Sequence, residues 1–311
     1  MPTDPGAALK VIIIRPATAG DAAGVAAVCA AALPFDPDAA RLPAILGGPG
    51  HDLLVAEIGG AVAGVACATV RERARGPARG HVDLLAVAPR ARGLGAGARL
   101  LRGAEDRLRA RGAAEVRLGQ GGPVYLWPGV DPRYTAMTCL ADRAGYERCG
   151  EAVNMTVGLL APPDADASGA EPGERRLADA GIAVRRAGPA EAGALARWLR
   201  EGPWGATTWP SEAVLTLAND PPGCHVAVRG DAYVAFACHG VNRAAWFGPM
   251  GTLPSEQRHG IGAVLLGRCL ADIRRAGHAS AQIAWTGPVR FYARAVGARI
   301  DRVFWAYRKT L

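Results

Sequence analysis

The chain repeats itself, and that limits it more than any other feature of the sequence. Ile14-Arg15-Pro16-Ala17-Thr18-Ala19-Gly20-Asp21 resembles Val184-Arg185-Arg186-Ala187-Gly188-Pro189-Ala190-Glu191, 170 residues later. Pro89-Arg90-Ala91-Arg92-Gly93-Leu94-Gly95-Ala96-Gly97 runs parallel to Pro254-Ser255-Glu256-Gln257-Arg258-His259-Gly260-Ile261-Gly262 at an offset of 165, as Gly122-Pro123-Val124 does to Gly287-Pro288-Val289. Arg143-Ala144-Gly145-Tyr146 matches Ala295-Val296-Gly297-Ala298 at an offset of 152, so the first copy holds 13 extra residues before its last helix. A 311-residue chain therefore reads as two copies of one domain, residues 10–160 and 182–311, a pseudo-dimer within one chain. The segment 161–181 is rich in Pro, Gly, Ala and charge with no apolar period, which predicts a linker.

Each copy follows the order β-α-β-β-β-α-β-α-β. In the first, residues 53–58 and 61–70 form a hairpin around Gly59-Gly60, 81–87 a further strand, and 152–159 the last one. After the glycines, Ala98, Leu100, Leu101, Ala104 and Leu108 recur at helical spacing. In the second copy, 299–307 closes the order, and Gly248-Pro249-Met250-Gly251 predicts a bulge or kink within a strand. The fold class expected is α/β with a mixed, mostly antiparallel sheet flanked by helices.

Apolar residues make up 50% and charged residues 21%, which excludes long disorder and collagen. The longest apolar stretch, 22–33, is too short to span a membrane, and no basic stretch leads into an apolar run at the start. These features predict a soluble, cytoplasmic protein with no membrane partner. The seven cysteines form no CxxC pair and have no His at ligand spacing, so neither disulfides nor a metal is expected. The net charge of +8 comes from arginines interspersed along the chain, without a basic run or aromatic-basic alternation. That pattern argues against nucleic acid and suits an anionic small cofactor.

A strand running into a glycine turn and then a helix makes an anion site. The first helical amides lack acceptors, the helix dipole is positive there, and glycine lets a phosphate approach the backbone. No Gly-Lys-Ser/Thr follows either turn, which excludes a Walker loop. Gly93-Leu94-Gly95-Ala96-Gly97-Ala98 satisfies the dinucleotide pattern, with Glu115 at ribose-binding distance. Against that reading, residues 89–92 separate strand from glycines, and the second copy has Leu265 at the third small position.

Arg92-x-x-Gly95-x-Gly97 and Gln257-x-x-Gly260-x-Gly262, each just past a strand-ending Pro, resemble the pyrophosphate loop of the Gcn5-related N-acetyltransferases. The resemblance covers nearly the whole chain outside the linker, and implies a tandem member of that superfamily using acetyl-CoA. It places the pyrophosphate on Arg92, Gly93, Leu94, Gly95, Ala96 and Gly97, and on Gln257, Arg258, His259, Gly260, Ile261 and Gly262. The pantetheine arm would pair with the strand edge at Leu85 and Val87, and at Met250 and Thr252.

The resemblance also implies a Tyr on the last helix that protonates the leaving thiolate. Tyr292 is the candidate, five rather than four residues before Gly297, and Leu140 stands at its counterpart in the first copy. An acid base is implied eight residues before the Pro, a position held here by His81, with Asp83 two further on, and in the second copy by Trp246. Tyr292 favours the second copy as the catalytic one. Aromatics on the divergent Gly/Pro-rich segments, Tyr125, Trp127, Tyr134, Trp204 and Trp209, together with Trp246, are candidate walls for the acceptor. The expected activity is acetyl transfer to a primary amine of a small molecule; the alternative is a non-catalytic acyl-CoA-binding or interaction module.

Overall fold

The computed structural model describes residues 11–46, 50–72, 76–122, 125–159 and 170–311. Pro123 and Val124 of the first Gly-Pro-Val, and 161–169 of the expected linker, lie outside the described residues.

The chain runs β1 (Ile12–Pro16), α1 (Ala22–Ala32), α2 (Leu42–Ile45), β2 (His51–Ile58), β3 (Ala61–Arg71), β4 (Arg79–Val87), α3 (Ala96–Ala110), β5 (Glu115–Leu118), α4 (Thr135–Arg143) and β6 (Glu147–Gly158). It continues through α5 (Ala170–Asp179), β7 (Ile182–Arg186), α6 (Ala192–Glu201), α7 (Trp209–Thr216), β8 (Cys224–Arg229), β9 (Ala232–His239), β10 (Trp246–Thr252), α8 (Ile261–Arg275), β11 (Ser280–Ile283), α9 (Val289–Val296) and β12 (Arg299–Thr310). Gly59 and Gly60 both have positive φ, +59° and +76°, the left-handed pair that a two-residue hairpin turn needs.

Two compact units form, and they do not follow the sequence copies. Unit 1 is 1–151 plus 304–311, and unit 2 is 152–303. In unit 1 the strand order is β1-β2-β3-β4-β5 with the end of β12 against β5, and only β4 and β5 are parallel. In unit 2 it is β7-β8-β9-β10-β11 with the end of β6 against β11, and only β10 and β11 are parallel. The repeat assigns each copy its own last strand, whereas the structure exchanges them. Periodicity identifies a strand, but two equivalent sheet edges accept either copy's strand, and sequence spacing does not choose between them.

The expected linker also differs. Its second half is α5, held in unit 2 by buried Leu177, by Gly173 beneath Val264, and by a two-pronged Arg268–Glu174 ion pair at 2.7 and 2.8 Å. The charges that read as linker composition are this helix's polar face and its tether.

The core of unit 1 lies under α3, whose Leu100, Leu101, Ala104 and Leu108 are fully buried. Each leucine contributes about 1.5–3 kcal/mol by leaving water. Leu108 lies so close to β4 that a Cβ at Gly80 would stand 2.8 Å from it. In unit 2, Val264, Leu265, Leu266, Cys269 and Ile273 of α8 do the same.

Because β12 lends its end to β5, deleting 304–311 should speed hydrogen exchange at the amides of Glu115–Leu118 while leaving those of Cys224–Arg229 protected. Equal protection in both segments would contradict the exchanged pairing.

Candidate active site

β4 and β5 stay paired only from Arg79 beside Glu115 to Val82 beside Leu118. There β4 carries a bulge: Cys67 faces Leu84 and Ala68 faces Val82, so Asp83 is the unpaired extra residue. On the other strand the chain turns away at Gly119, with φ +75°. The two parallel strands part, and a cavity of about 1100 Å³ opens between them. Asp83, Leu85 and Val87 line it from β4, Gly93 and Gly95 to Ala98 from the loop and helix, and Leu140 and Arg143 from α4.

The two glycine loops have the same backbone. Gly95 (φ +89°, ψ 0°) and Gly260 (φ +84°, ψ 1°) cap α3 and α8, and Gly93 (φ +79°) is matched by Arg258 (φ +69°). Their first helical amides have no intrahelical acceptor. Nothing lies within 4 Å of where a Cβ would stand at Gly93, Gly95 or Gly260. Arg92 and Gln257 both bond back to the strand before their loop. Arg92 Nε donates to Val87 O at 3.4 Å, and Gln257 Nε2 to Thr252 O at 3.3 Å, each bracing its loop against the end of its strand. Ala96 and Ile261 are buried beneath the loops, while Leu94 and His259 are exposed on them.

Asp83 is 2% exposed and accepts one hydrogen bond on each carboxylate oxygen. Thr69 Oγ1 donates to its Oδ2 at 2.5 Å and Gly121 N to its Oδ1 at 2.9 Å. A Cβ at Gly121 would fall on this carboxylate. His81 is not a lining residue: its Nδ1 lies 2.9 Å from Gly119 O and must carry the proton. Burial lowers its pKa against the opposing pull of Asp83, so the ring is neutral and positions the turn after β5.

The cavity's far wall is aromatic and acidic. Trp127 Nε1 donates to Asp36 Oδ1 at 3.0 Å and Tyr134 OH to Asp36 Oδ2 at 2.6 Å. Arg133 grips Asp131 with two nitrogens and lies 4.4 Å from the Phe35 ring centre. Trp127 and Tyr134 thus stand where the sequence suggested, whereas Tyr125 does not line the cavity. Asp36 and Phe35 carried no sequence signal, because the repeat gives no reason to single out a loop after α1. Gly129 and Val130 hold this wall against Trp305 of β12, with Val130 and Trp305 exchanging backbone bonds of 2.9 and 2.8 Å.

Unit 2 surrounds its loop with different residues. Its β10 carries the bulge expected at 248–251, but Gly248 stands where unit 1 has Asp83. Trp204 lies directly on Gly251, and Phe291 and Met250 lie 3.5 and 3.7 Å from a Cβ position at Gly262, much as Leu140 and Val87 lie 3.4 and 3.6 Å from one at Gly97. Trp204 and Trp209 pack on each other and on Phe236, in the core under α6 and α7 rather than on a ligand wall. Trp246 is buried beneath the Arg243 guanidinium. Tyr292 is 6% exposed between Phe247 and Phe291, and burial raises its pKa.

Residues 29–121 match the model of the acetyltransferase (GNAT) family. A search of curated protein sequences finds no match. Among solved structures, the chain is similar to a GCN5-related glucosamine N-acetyltransferase region of a fungal multi-domain GH3 beta-N-acetylglucosaminidase, with TM-score 0.78 and 18% identity over 98% of this chain. It spans 39% of the length of that protein. It is also similar to a GCN5-related N-acetyltransferase from Sphaerobacter thermophilus, with TM-score 0.66, 23% identity and coverage of 96% of this chain and 95% of that one. A tandem GNAT protein from the clavulanic acid biosynthesis pathway gives TM-score 0.66 at 17% identity, over 96% and 98% of the two chains. The chain is a tandem GNAT-fold protein. The family matched by its first copy is one of acyltransferases, and no helix among the described residues is long and apolar enough to cross a membrane.

The second half of this tandem GNAT-fold chain holds a cluster that resembles a metal site. His225, His239 and Asp272 bring their ligand atoms within 4.8 Å of one another. The donor set does not fit a divalent cation, because two guanidiniums already hold Asp272: Arg186 at 2.8 Å and Arg275 at 2.6 Å. Burial alone would raise the Asp272 carboxyl, but bonds from His225, His239 and Arg186 outweigh it and hold its pKa far below the carboxylate range. Burial lowers the pKa of His225 below its ordinary 6.5 despite Asp272.

The unfolded chain therefore takes up a proton at His225 as pH falls through about 6.5, while the fold does not. Stability is complete above that pH and declines below it, and His225→Gln should flatten the decline in chemical denaturation series. In unit 1, Gly121→Ala displaces the Asp83 carboxylate and should lower stability by about 1–3 kcal/mol.

Proposed function

We propose that this protein is an N-acetyltransferase that moves an acetyl group from acetyl-CoA to a primary amine of a small molecule, and that unit 1 carries out the chemistry. The observation that carries this reading is a single cavity onto which the glycine loop, the free edge of β4 and the Asp83 carboxylate all open. Unit 2 shares the loop but has Gly248 where unit 1 has Asp83, so it serves unit 1 as a structural partner. Tyr292 favoured the second copy from sequence; its burial among aromatic rings favours a packing role instead.

The residues present fit acetyl-CoA. The amides of 93–98 suit a diphosphate, and the β4 edge at Leu85 and Val87 suits the two amides of a pantetheine arm. When bound, acetyl-CoA supplies a thioester whose carbonyl carbon the amine attacks. Asp83 draws the acceptor's ammonium by charge and takes its proton onto a carboxylate oxygen, leaving the nitrogen lone pair free to form the new C–N bond. Thr69 and Gly121 fix that carboxylate, which keeps its approach to the amine preorganised. As the C–S bond breaks, the nitrogen gives up its second proton to solvent and the sulfur is protonated from solvent, because Leu140 offers no proton and Tyr134 commits its hydroxyl to Asp36.

For the acceptor, the Phe35, Trp127 and Tyr134 wall supports a ring with an apolar face, and the neighbouring acids support a cationic amine. Glucosamine, the acceptor named for the fungal region, combines both, which favours an amino sugar here.

Purified protein incubated with acetyl-CoA and a panel of amines including glucosamine should release CoA; binding without release across the panel would overturn the reading in favour of a non-catalytic module. Asp83→Asn should cut kcat by about 10²- to 10⁴-fold with little change in acetyl-CoA affinity. By calorimetry, Gly95→Asp should abolish acetyl-CoA binding while Gly260→Asp leaves it intact, and the reverse pattern would return the site to unit 2.

A further inference from the structure

We propose that Asp36 is a positioning residue that latches the two halves of the acceptor wall together, and that it acts on the acceptor through Trp127 and Tyr134 without touching it. The inference rests on reading this cavity as the site of an acetyltransferase that takes an amino sugar.

The wall is built from two segments far apart in sequence. Leu33, Pro34 and Phe35 line the cavity from the loop after α1, and Trp127, Arg133 and Tyr134 line it from the segment before α4, whereas Asp36 itself does not line it. Its buried carboxylate joins the two: Oδ1 accepts the Trp127 indole N–H at 3.0 Å, and Oδ2 accepts the Tyr134 hydroxyl at 2.6 Å. Tyr134 OH in turn accepts from Phe35 N at 3.3 Å, and the two ring centres lie 5.3 Å apart. Backbone bonds fix the acid's own end of the latch. Asp36 N donates to Leu33 O at 3.1 Å, and Asp36 O accepts from Ala39 N at 3.0 Å. A carboxylate removed from water needs the donors it receives, and such charge-assisted bonds are short and directional, so they hold both aromatic side chains by their polar ends.

The repeat separates this role from folding. Trp127 and Tyr134 belong to the 13 residues that the first copy holds in excess, and 170 residues after Asp36 the second copy has Ala206. The acid and its two donors therefore occur together in one copy and are missing together from the other, which forms the same strand order, glycine loop and helix without them. A ring presents a sugar with a defined face only when its tilt is held. The latch therefore serves acceptor binding and leaves the coenzyme loop alone.

The test measures KM and kcat for glucosamine, and the Kd of acetyl-CoA by calorimetry, on the full chain and on its D36A and D36N variants. D36A carries the second copy's residue and should fold; it should raise KM by about tenfold or more, with kcat and the Kd of acetyl-CoA changed by less than about twofold. Asn keeps a carbonyl oxygen for the Trp127 N–H and offers an amide N–H to the Tyr134 oxygen, so D36N should recover most of the lost KM. Equal loss in both variants would assign the effect to negative charge and overturn the latch. Failure of D36A to fold, or loss of acetyl-CoA affinity alongside the rise in KM, would assign Asp36 to general packing and overturn it too. Turnover with an unchanged KM in D36A overturns the latch alone, whereas absence of CoA release with glucosamine from the wild type overturns the amino-sugar reading and the latch with it.

Discussion

The parting of β4 from β5 is the constraint on which the rest of unit 1 depends. A parallel pair would normally continue until one strand ends. Here the unpaired Asp83 bends β4 and the left-handed Gly119 turns the other chain away, so the strand edge beyond Val82 is left without a partner. An exposed row of amides and carbonyls inside a protein must find acceptors and donors. The gap is kept open by buried bonds: Asp83 to Thr69 and Gly121, and His81 to Gly119. The same carboxylate that opens the cleft therefore also faces it, which joins the architecture to the proposed proton acceptor.

The two units show how one backbone supports two outcomes. Their loop dihedrals agree within about 10° at Arg92 and Gln257, in φ at Gly93 and Arg258, and at the capping Gly95 and Gly260, and both strands before the loop carry a bulge. What differs is the surroundings. Gly248 removes the acid, and Trp204 and Phe291 pack beside the strand and loop of unit 2. The exchanged last strands tie unit 1 to the far end of the chain, since Trp305 holds the acceptor wall through Val130 and Lys309 enters the cavity from β12.

Much of this was legible in the residues, and the misses have physical causes. The repeat predicted the element order because glycine turns and apolar periods survive divergence, and Gly248-Pro249 announced the second bulge. The first bulge was hidden because Val82-Asp83-Leu84 has no glycine or proline to mark it. Trp204 and Trp209 read as ligand walls because a glycine- and proline-rich segment conceals that its aromatics pack on Phe236, which is far away in sequence. Tyr292 stood at a position one step from the expected helix register, and that step buries it. Asp36 became visible only through its partners Trp127 and Tyr134, about a hundred residues on.

The central claim is that the cleft of unit 1, and not that of unit 2, holds coenzyme A. A crystal structure of the full chain grown with acetyl-CoA tests it most directly. The account predicts density for the diphosphate over Gly93 and Gly95 and for the pantetheine arm along Leu85 and Val87, with Trp204 and Phe291 unmoved. Density over Gly260, with those two rings displaced and the first cleft empty, would contradict it.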